Sequence, residues 1–176
     1  MKILRLAERS RPRLRSLLAW IALIAVALGA WISHVRRLER LERLPYDLIH
    51  AAEDGDAVRV RELLDEGANV NRVVDGRFPW TPLMHASFAG RTECVKVLLE
   101  RGADPNRQDL DFFTAVTLAA GEGHWEIVRL LIDQGADPLH TDGQSTSALG
   151  YAREQGQDAM IRYIESRSPS GKPVSP

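Results

Sequence analysis

Leu17 to Ile32, LLAWIALIAVALGAWI, is an apolar run without a charged residue, and nothing like it recurs in the chain. Leu14, Ser16, Ser33, His34 and Val35 lengthen it to about 20 positions, enough for one helix to cross a hydrocarbon core of about 30 Å. Beyond it, Val35, Leu38, Leu41 and Leu44 fall at three-residue steps, and Glu39 precedes Arg43 by the four residues of a helical ion pair. This spacing predicts a helix continuing to Leu44, with Pro45 placed to open the next one. Its apolar stripe either caps the following unit or forms a short self-association seam. From Pro45 the pattern becomes one of short blocks. Leu63-Leu64, Leu98-Leu99 and Leu131-Ile132 each run into a Gly-Ala pair, and Gly67-Ala68, Gly102-Ala103 and Gly135-Ala136 follow one another at nearly equal steps. Gly55, Gly90, Gly123 and Gly156 keep the same rhythm, as do Leu48, Leu83, Val116 and Leu149. Three markers sharing one period predict a stack of small units, a design that works by presenting a surface.

Each unit reads as two short helices joined at a glycine, followed by an extended finger. In the second, Thr81 is able to cap a helix whose first turn is preorganised by Pro82, and Gly90 ends that helix. Thr92 to Arg101 follows, with Cys94, Val95, Leu98 and Leu99 on one face, and Gly102 closes it in the left-handed conformation. The segment TPLMHASFAGRTECVKVLLERGADPN, Thr81 to Asn106, resembles the ankyrin repeat almost throughout. Thr114 to Pro138 is nearly as similar, Tyr46 to Asn71 keeps the Ala51-Ala52, Gly55 and Gly67-Ala68-Asn69 positions, and Ser147 to about Ser166 stops after its second helix. The resemblance covers residues 45–166 and implies an all-α, ankyrin-type helical solenoid of about four repeats behind a single transmembrane helix. Ile49, Met84, Thr117 and Gly150 stand where the family commonly has a histidine, so that residue's bonds are not carried over. Asn71 and Asn106 keep the asparagine after the turn, whereas Leu139 replaces it.

Charge divides the chain. Residues 1–44 hold ten Lys or Arg against three Glu, net +7, and the remainder holds thirteen against twenty-one acidic residues, net -8. The acidic part argues against nucleic acid, whose binding needs a basic footprint. The basic part flanks the apolar run, as membranes favour. Six cations precede the run and four follow it, and Trp20 and Trp31 lie near its two ends. By the positive-inside rule the N-terminus faces the cytoplasm and the repeats lie outside. A cleaved signal peptide ending near Ala25-Val26-Ala27 is the competing reading; Ala30, Trp31 and Ile32 continue the apolar run past that point and favour an uncleaved anchor. Only Lys2, Lys96 and Lys172 are lysine, an arginine bias of the kind found in GC-rich bacterial genomes.

The expected organisation is a basic cytoplasmic segment 1–16, a transmembrane signal anchor 17–35, a juxtamembrane helix 36–44, a repeat domain 45–166, and a Pro/Ser-rich disordered tail 167–176. The protein is expected in a bacterial inner membrane with its repeats in the periplasm, held through Leu17 to Val35. Ala25, Gly29 and Ser33, spaced by one helical turn, offer a face for a homodimer through the membrane helix.

Little catalytic chemistry is on offer. No phosphate-binding glycine loop, paired Cys-x-x-Cys, His-Glu-x-x-His or Gly-x-Ser-x-Gly occurs. His50, His85, His124 and His140 are each several helical turns from the next in sequence, which offers no close helical pair for a metal. Cys94, the single cysteine, falls on an apolar helix face where burial is expected. No cofactor and no enzymatic activity are expected.

Fingers one and two carry the chemistry that stands out. Finger one holds Phe78, Pro79 and Trp80 and is two residues longer than its neighbours; finger two holds Leu110, Phe112 and Phe113, and Phe88 ends the first helix of repeat two. Asp75, Asp109, Asp111 and Glu122 surround them. Rigid aromatic rings within a charged rim suit a protein-binding hot spot. Phe78, Trp80, Phe88, Phe112 and Phe113, with Asp75, Asp109 and Asp111, are therefore the candidate partner-binding residues, for a partner with a basic, apolar-centred patch. The other reading is that several rings pack finger against finger, Trp80 and Phe113 being those placed to turn inward. The expected role is a membrane-tethered module that holds or occludes a protein partner: a scaffold, a stress-defence accessory or a toxin-immunity protein. A self-associating structural envelope protein, or a cytoplasmic signalling adaptor of reversed topology, are the alternatives.

Overall fold

A computed structural model describes residues 2–74 and 79–167, with side chains from residue 16 onward. Among the described residues there are eight helices, and the only β pairing is an isolated antiparallel bridge between Thr141 and Ser147. Two compact units are present, Met1–Arg43 and Leu44–Pro176.

The first unit is the greater part of helix α1 (Lys2–Asp54). Every side chain from Ser16 to His34 is exposed, and by length and composition this is a helix able to cross a membrane. The Ser33 hydroxyl turns back to donate to the Gly29 carbonyl at 2.9 Å, so its polar group is satisfied inside the helix. Pro45 does not open a new helix, contrary to the sequence pattern: α1 runs through it. Proline lacks an N–H, which leaves one helical bond unmade. Leu44 and Leu48 are buried on either side of it, and that packing outweighs the loss. Of the leucine stripe, only Leu44 joins the core; Leu38 and Leu41 stay exposed.

The second unit is a row of helix pairs. The end of α1 pairs with α2 (Ala57–Asp65), α3 (Pro82–Phe88) with α4 (Thr92–Glu100), α5 (Ala115–Gly121) with α6 (Trp125–Asp133), and α7 (Ala148–Glu154) with α8 (Asp158–Arg167). Thr81, Thr114 and Ser147 cap α3, α5 and α7, each side-chain oxygen accepting the backbone N–H three residues on. Met84 and Thr117 replace the family's histidine with bonds of their own: the Met84 sulfur accepts Thr81 N–H at 3.5 Å, and the Thr117 hydroxyl accepts Thr114 N–H at 2.9 Å. Gly90 and Gly102 end their helices at φ +72° and +83°, a region where a side chain would meet its own backbone. Leu48, Leu63, Leu83, Leu98, Ile127, Leu131 and Ile164 form the continuous core, along with the Cys94 thiol. Burying such a side chain contributes about 1.5–3 kcal/mol.

Three helix-end carbonyls carry the stack from repeat to repeat. Glu53 O accepts from Arg91 Nε at 2.8 Å, Phe88 O bonds His124 Nε2 at 3.1 Å, and Gly121 O accepts from Gln155 Nε2 at 3.3 Å. Each satisfies a group that a helix leaves orphaned at its end. The turns are tied likewise. Asn71 donates to Gly102 O and accepts from Asp104 N, and Asn106 does the same to Gly135 O and Asp137 N. Leu139 ends this ladder and packs against the core instead. Arg167, read from the sequence as the first residue of the tail, is the last residue of α8. Its guanidinium lies over the Tyr163 ring and pairs with Asp133 at 3.0 Å, contacts that prolong the helix; residues 168–176 lie outside the described part.

Candidate partner-binding surface

Finger two, between Ala103 and Thr114, is organised by one carboxylate. Asp109 Oδ1 accepts the backbone N–H groups of Asp111 and Phe113 at 2.9 and 2.8 Å, and Oδ2 accepts the Trp80 indole N–H at 2.7 Å. The Asp109 N–H donates in turn to Phe113 O, and the Phe112 N–H to Asp109 O. The loop this closes places Phe112 at φ +61°. For a residue with a bulky side chain that is an outlier, disfavoured by contact between Cβ and the backbone. Finger three repeats the design around the buried Asp142, with Ser145 at φ +60°. The two fingers are joined through backbone groups: Gly143 N–H donates to Asp111 O at 2.7 Å, and His140 Nε2 bonds Phe112 O at 2.9 Å.

The rings proposed from the sequence separate into two sets. Phe112 is 57% exposed, Phe88 is 42% exposed, and Leu110, which the sequence reading does not place among the contact residues, is 83% exposed. Trp80 is only 7% exposed and lies in the core cluster, its ring 5.2 Å from Phe88 and 5.4 Å from His85. Phe113 is half-buried against the same core. Trp80 and Phe113 therefore pack inward, while Phe88 and Phe112 stay exposed. Asp109 is not a free rim charge, since its oxygens are taken up by three N–H groups. The Asp111 side chain is exposed. Phe78 and Asp75 lie outside the described residues.

His85 sits between the edge of Trp80 and the Glu53 carboxylate, 3.9 Å away. Burial pushes its pKa below the ordinary histidine value; Glu53 pulls the other way and His50 adds to the lowering. Among the described residues no group of His, Cys, Asp and Glu is arranged to hold a metal ion. His124 and His140 are engaged with backbone carbonyls of neighbouring repeats. What the arrangement offers is an exposed apolar projection, Leu110 and Phe112, on a loop closed around Asp109.

Comparison with known proteins agrees with the architecture. Residues 45–109 match a family model described as ankyrin repeats (3 copies), and residues 111–143 match one described as ankyrin repeat. The chain is 44% identical over 72 residues to the 2-5A-dependent ribonuclease of Mus musculus, covering 41% of this chain and 10% of that protein. It is 41% identical over 72 residues to the ankyrin repeat protein nuc-2 of Neurospora crassa, covering 40% of this chain and 7% of that protein. Against the human ankyrin repeat, SAM and basic leucine zipper domain-containing protein 1 it is 39% identical over 70 residues, 40% of this chain and 14% of that protein. The chain thus spans a small fraction of the length of these eukaryotic relatives, and what it shares with them is the repeats. Between them the two family matches take in more than half of the chain, they follow the helix pairs and fingers, and the chain belongs to the ankyrin repeat family.

Proposed function

We propose that the chain is a membrane-tethered interaction module that holds a protein partner through the exposed side chains of finger two and the end of α3, Phe112 foremost. One observation carries this reading: Phe112 combines a strained backbone, φ +61°, with a ring left 57% exposed. Glycine would relieve the strain without cost to the core, so a phenylalanine there serves something other than stability. Large exposed rings are the usual anchors of protein interfaces. The net charge of -8 over residues 45–176 and the exposed Asp111 suit a partner whose contact patch is basic around an apolar centre.

The exposed apolar stretch of α1 supports a tether, and the larger number of cations before it supports a cytoplasmic N-terminus with the repeats on the far side, in a bacterial inner membrane. Tethering raises effective concentration, so a modest affinity suffices for a scaffold, a stress-defence accessory or an immunity protein. The test is a photo-crosslinking amino acid at Leu110 in the full chain in its own cells. A discrete adduct whose yield falls sharply, to a measurable remainder, in the Phe112→Gly variant, while the fold is at least as stable, supports the reading. An adduct indifferent to Phe112 places the contact elsewhere. Protease accessibility of residues 45–176 in cells with only the outer permeability barrier opened tests the topology; protection until the inner membrane is lysed favours the cytoplasmic adaptor.

A second reading has its own observation: Leu38 and Leu41 remain exposed on α1. They favour a self-associating envelope component, and a monomer in detergent by analytical ultracentrifugation would remove it.

A further inference from the structure

Asp109 and Asp142 hold matching places in consecutive fingers, and each uses Oδ1 in the same way. Asp109 Oδ1 gathers the N–H groups of Asp111 and Phe113; Asp142 Oδ1 gathers those of Gln144 and Thr146. Their second oxygens differ. Asp142 Oδ2 takes the Tyr151 hydroxyl, from the helix that follows its finger, at 2.8 Å, whereas Asp109 Oδ2 takes the Trp80 indole N–H, from the end of the preceding finger, at 2.7 Å. Trp80 is itself fixed by Phe88 and His85 of α3. The finger whose carboxylate reaches back to an indole is the one with a phenylalanine at the left-handed position; the other has a serine there.

We propose that Trp80 and Asp109 are positioning residues for the Phe112 contact. Their bond anchors finger two to α3 and holds the loop closed around Asp109, so that Phe112 keeps its left-handed backbone and its exposed ring. A backbone in a sparsely populated region persists only where its surroundings over-determine it. Here the Asp109 carboxylate bonds the amides on both sides of Phe112, and Trp80 fixes that carboxylate from outside the finger. Binding then depends on two side chains that touch no partner. This rests on the reading of Phe112 as the contact residue.

The test is Trp80→Phe, which keeps an aromatic ring and removes the N–H, in the full chain, with Asp109→Asn as a second variant should the first fail to fold. Two readouts are taken well below the unfolding temperature: the backbone ¹³C shifts of residue 112 in detergent micelles, and the yield of the photo-adduct from Leu110 in cells. The expected result is that residue 112 leaves the left-handed range and the adduct falls about tenfold, the size of one lost charge-assisted hydrogen bond. The same substitution in a Phe112→Gly background is expected to change the adduct no further. Unchanged shifts, or an equal loss of adduct in both backgrounds, overturn the positioning role and leave the Phe112 contact standing. Altered shifts with a full adduct overturn both, since Phe112 would then not be what the partner touches.

Discussion

The indole N–H of Trp80 reaches the carboxylate of Asp109 at 2.7 Å across 29 residues of sequence, binding the second finger to the stretch that leads into α3. A half-buried carboxylate that collects three N–H groups is costly to remove, because each donor is left without an acceptor. Asp109→Ala is expected to destabilise the domain by roughly 2–4 kcal/mol, and Trp80→Phe by about 1.5–3 kcal/mol, in urea unfolding followed by circular dichroism. A loss for both no larger than that of an ordinary surface substitution would show that the bond adds nothing in solution.

Phe112→Gly should move stability the other way. Left-handed backbone costs a non-glycine residue about 1–2 kcal/mol, and glycine gives back part of that gain through its freer unfolded chain. The net expectation is a rise of roughly 0.5–1 kcal/mol. Ser145→Gly, at the matching position of finger three, should show a similar rise. A fall in stability for Phe112→Gly alone would mean that the ring contributes to packing, and the case for it as a contact residue would weaken.

The sequence period already located the repeats, because Gly-Ala turns and leucine pairs are imposed by local backbone geometry and by the core of every unit. What it did not show is which rings face out. Trp80 and Phe112 are alike as residue types, and their fates are settled by Asp109, which is distant in sequence from the first and within one turn of the second. Asp109 itself looked like rim charge, since a carboxylate that organises a loop and a solvated one have the same letter. Pro45 misled for a related reason: its local preference for a helix start is overruled by the burial of Leu44 and Leu48.

His85 gives the stability a pH dependence. Its folded pKa lies below the unfolded value, chiefly through burial, so the unfolded chain binds the proton more readily. Stability on its account is fully present above the ordinary histidine pKa and is lost as pH falls from there toward the folded value. Leu118 occupies the matching place one repeat on, which makes His85→Leu a substitution the fold already accommodates. Melting temperatures from pH 7.5 down to 5 should fall less steeply for His85→Leu than for the parent chain. Parallel curves would show that His85 titrates alike in both states.

Ser87 is fully buried in α3, and its hydroxyl oxygen makes no hydrogen bond. Ala52 and Ala120 fill the matching places in the neighbouring repeats, both fully buried. An unsatisfied buried polar group costs about 1–3 kcal/mol. Ser87→Ala should therefore leave stability unchanged or raise it by up to about 1 kcal/mol in urea titration. A loss of that size would point to a bond that forms in solution.

The asparagine ladder offers a test within the fold's own variation. Asn106 donates to Gly135 O and accepts from Asp137 N, both at 2.9 Å, and so ties the turn of one repeat to the next. Leu139, its counterpart, follows the last such Gly-Ala turn among the described residues. The leucine there covers core instead. Asn106→Leu lacks that excuse. It removes two bonds and leaves Gly135 O and Asp137 N to water, for an expected loss of about 1–2 kcal/mol. The effect should be local as well as global: hydrogen exchange at the Asp137 amide should quicken well beyond what the change in overall stability imposes. Equal protection of Asp137 in both proteins would mean that the turn is held by its own Asp137 carboxylate, which already accepts the Leu139 N–H at 2.9 Å, and that the ladder is a consequence of the stacking rather than a cause.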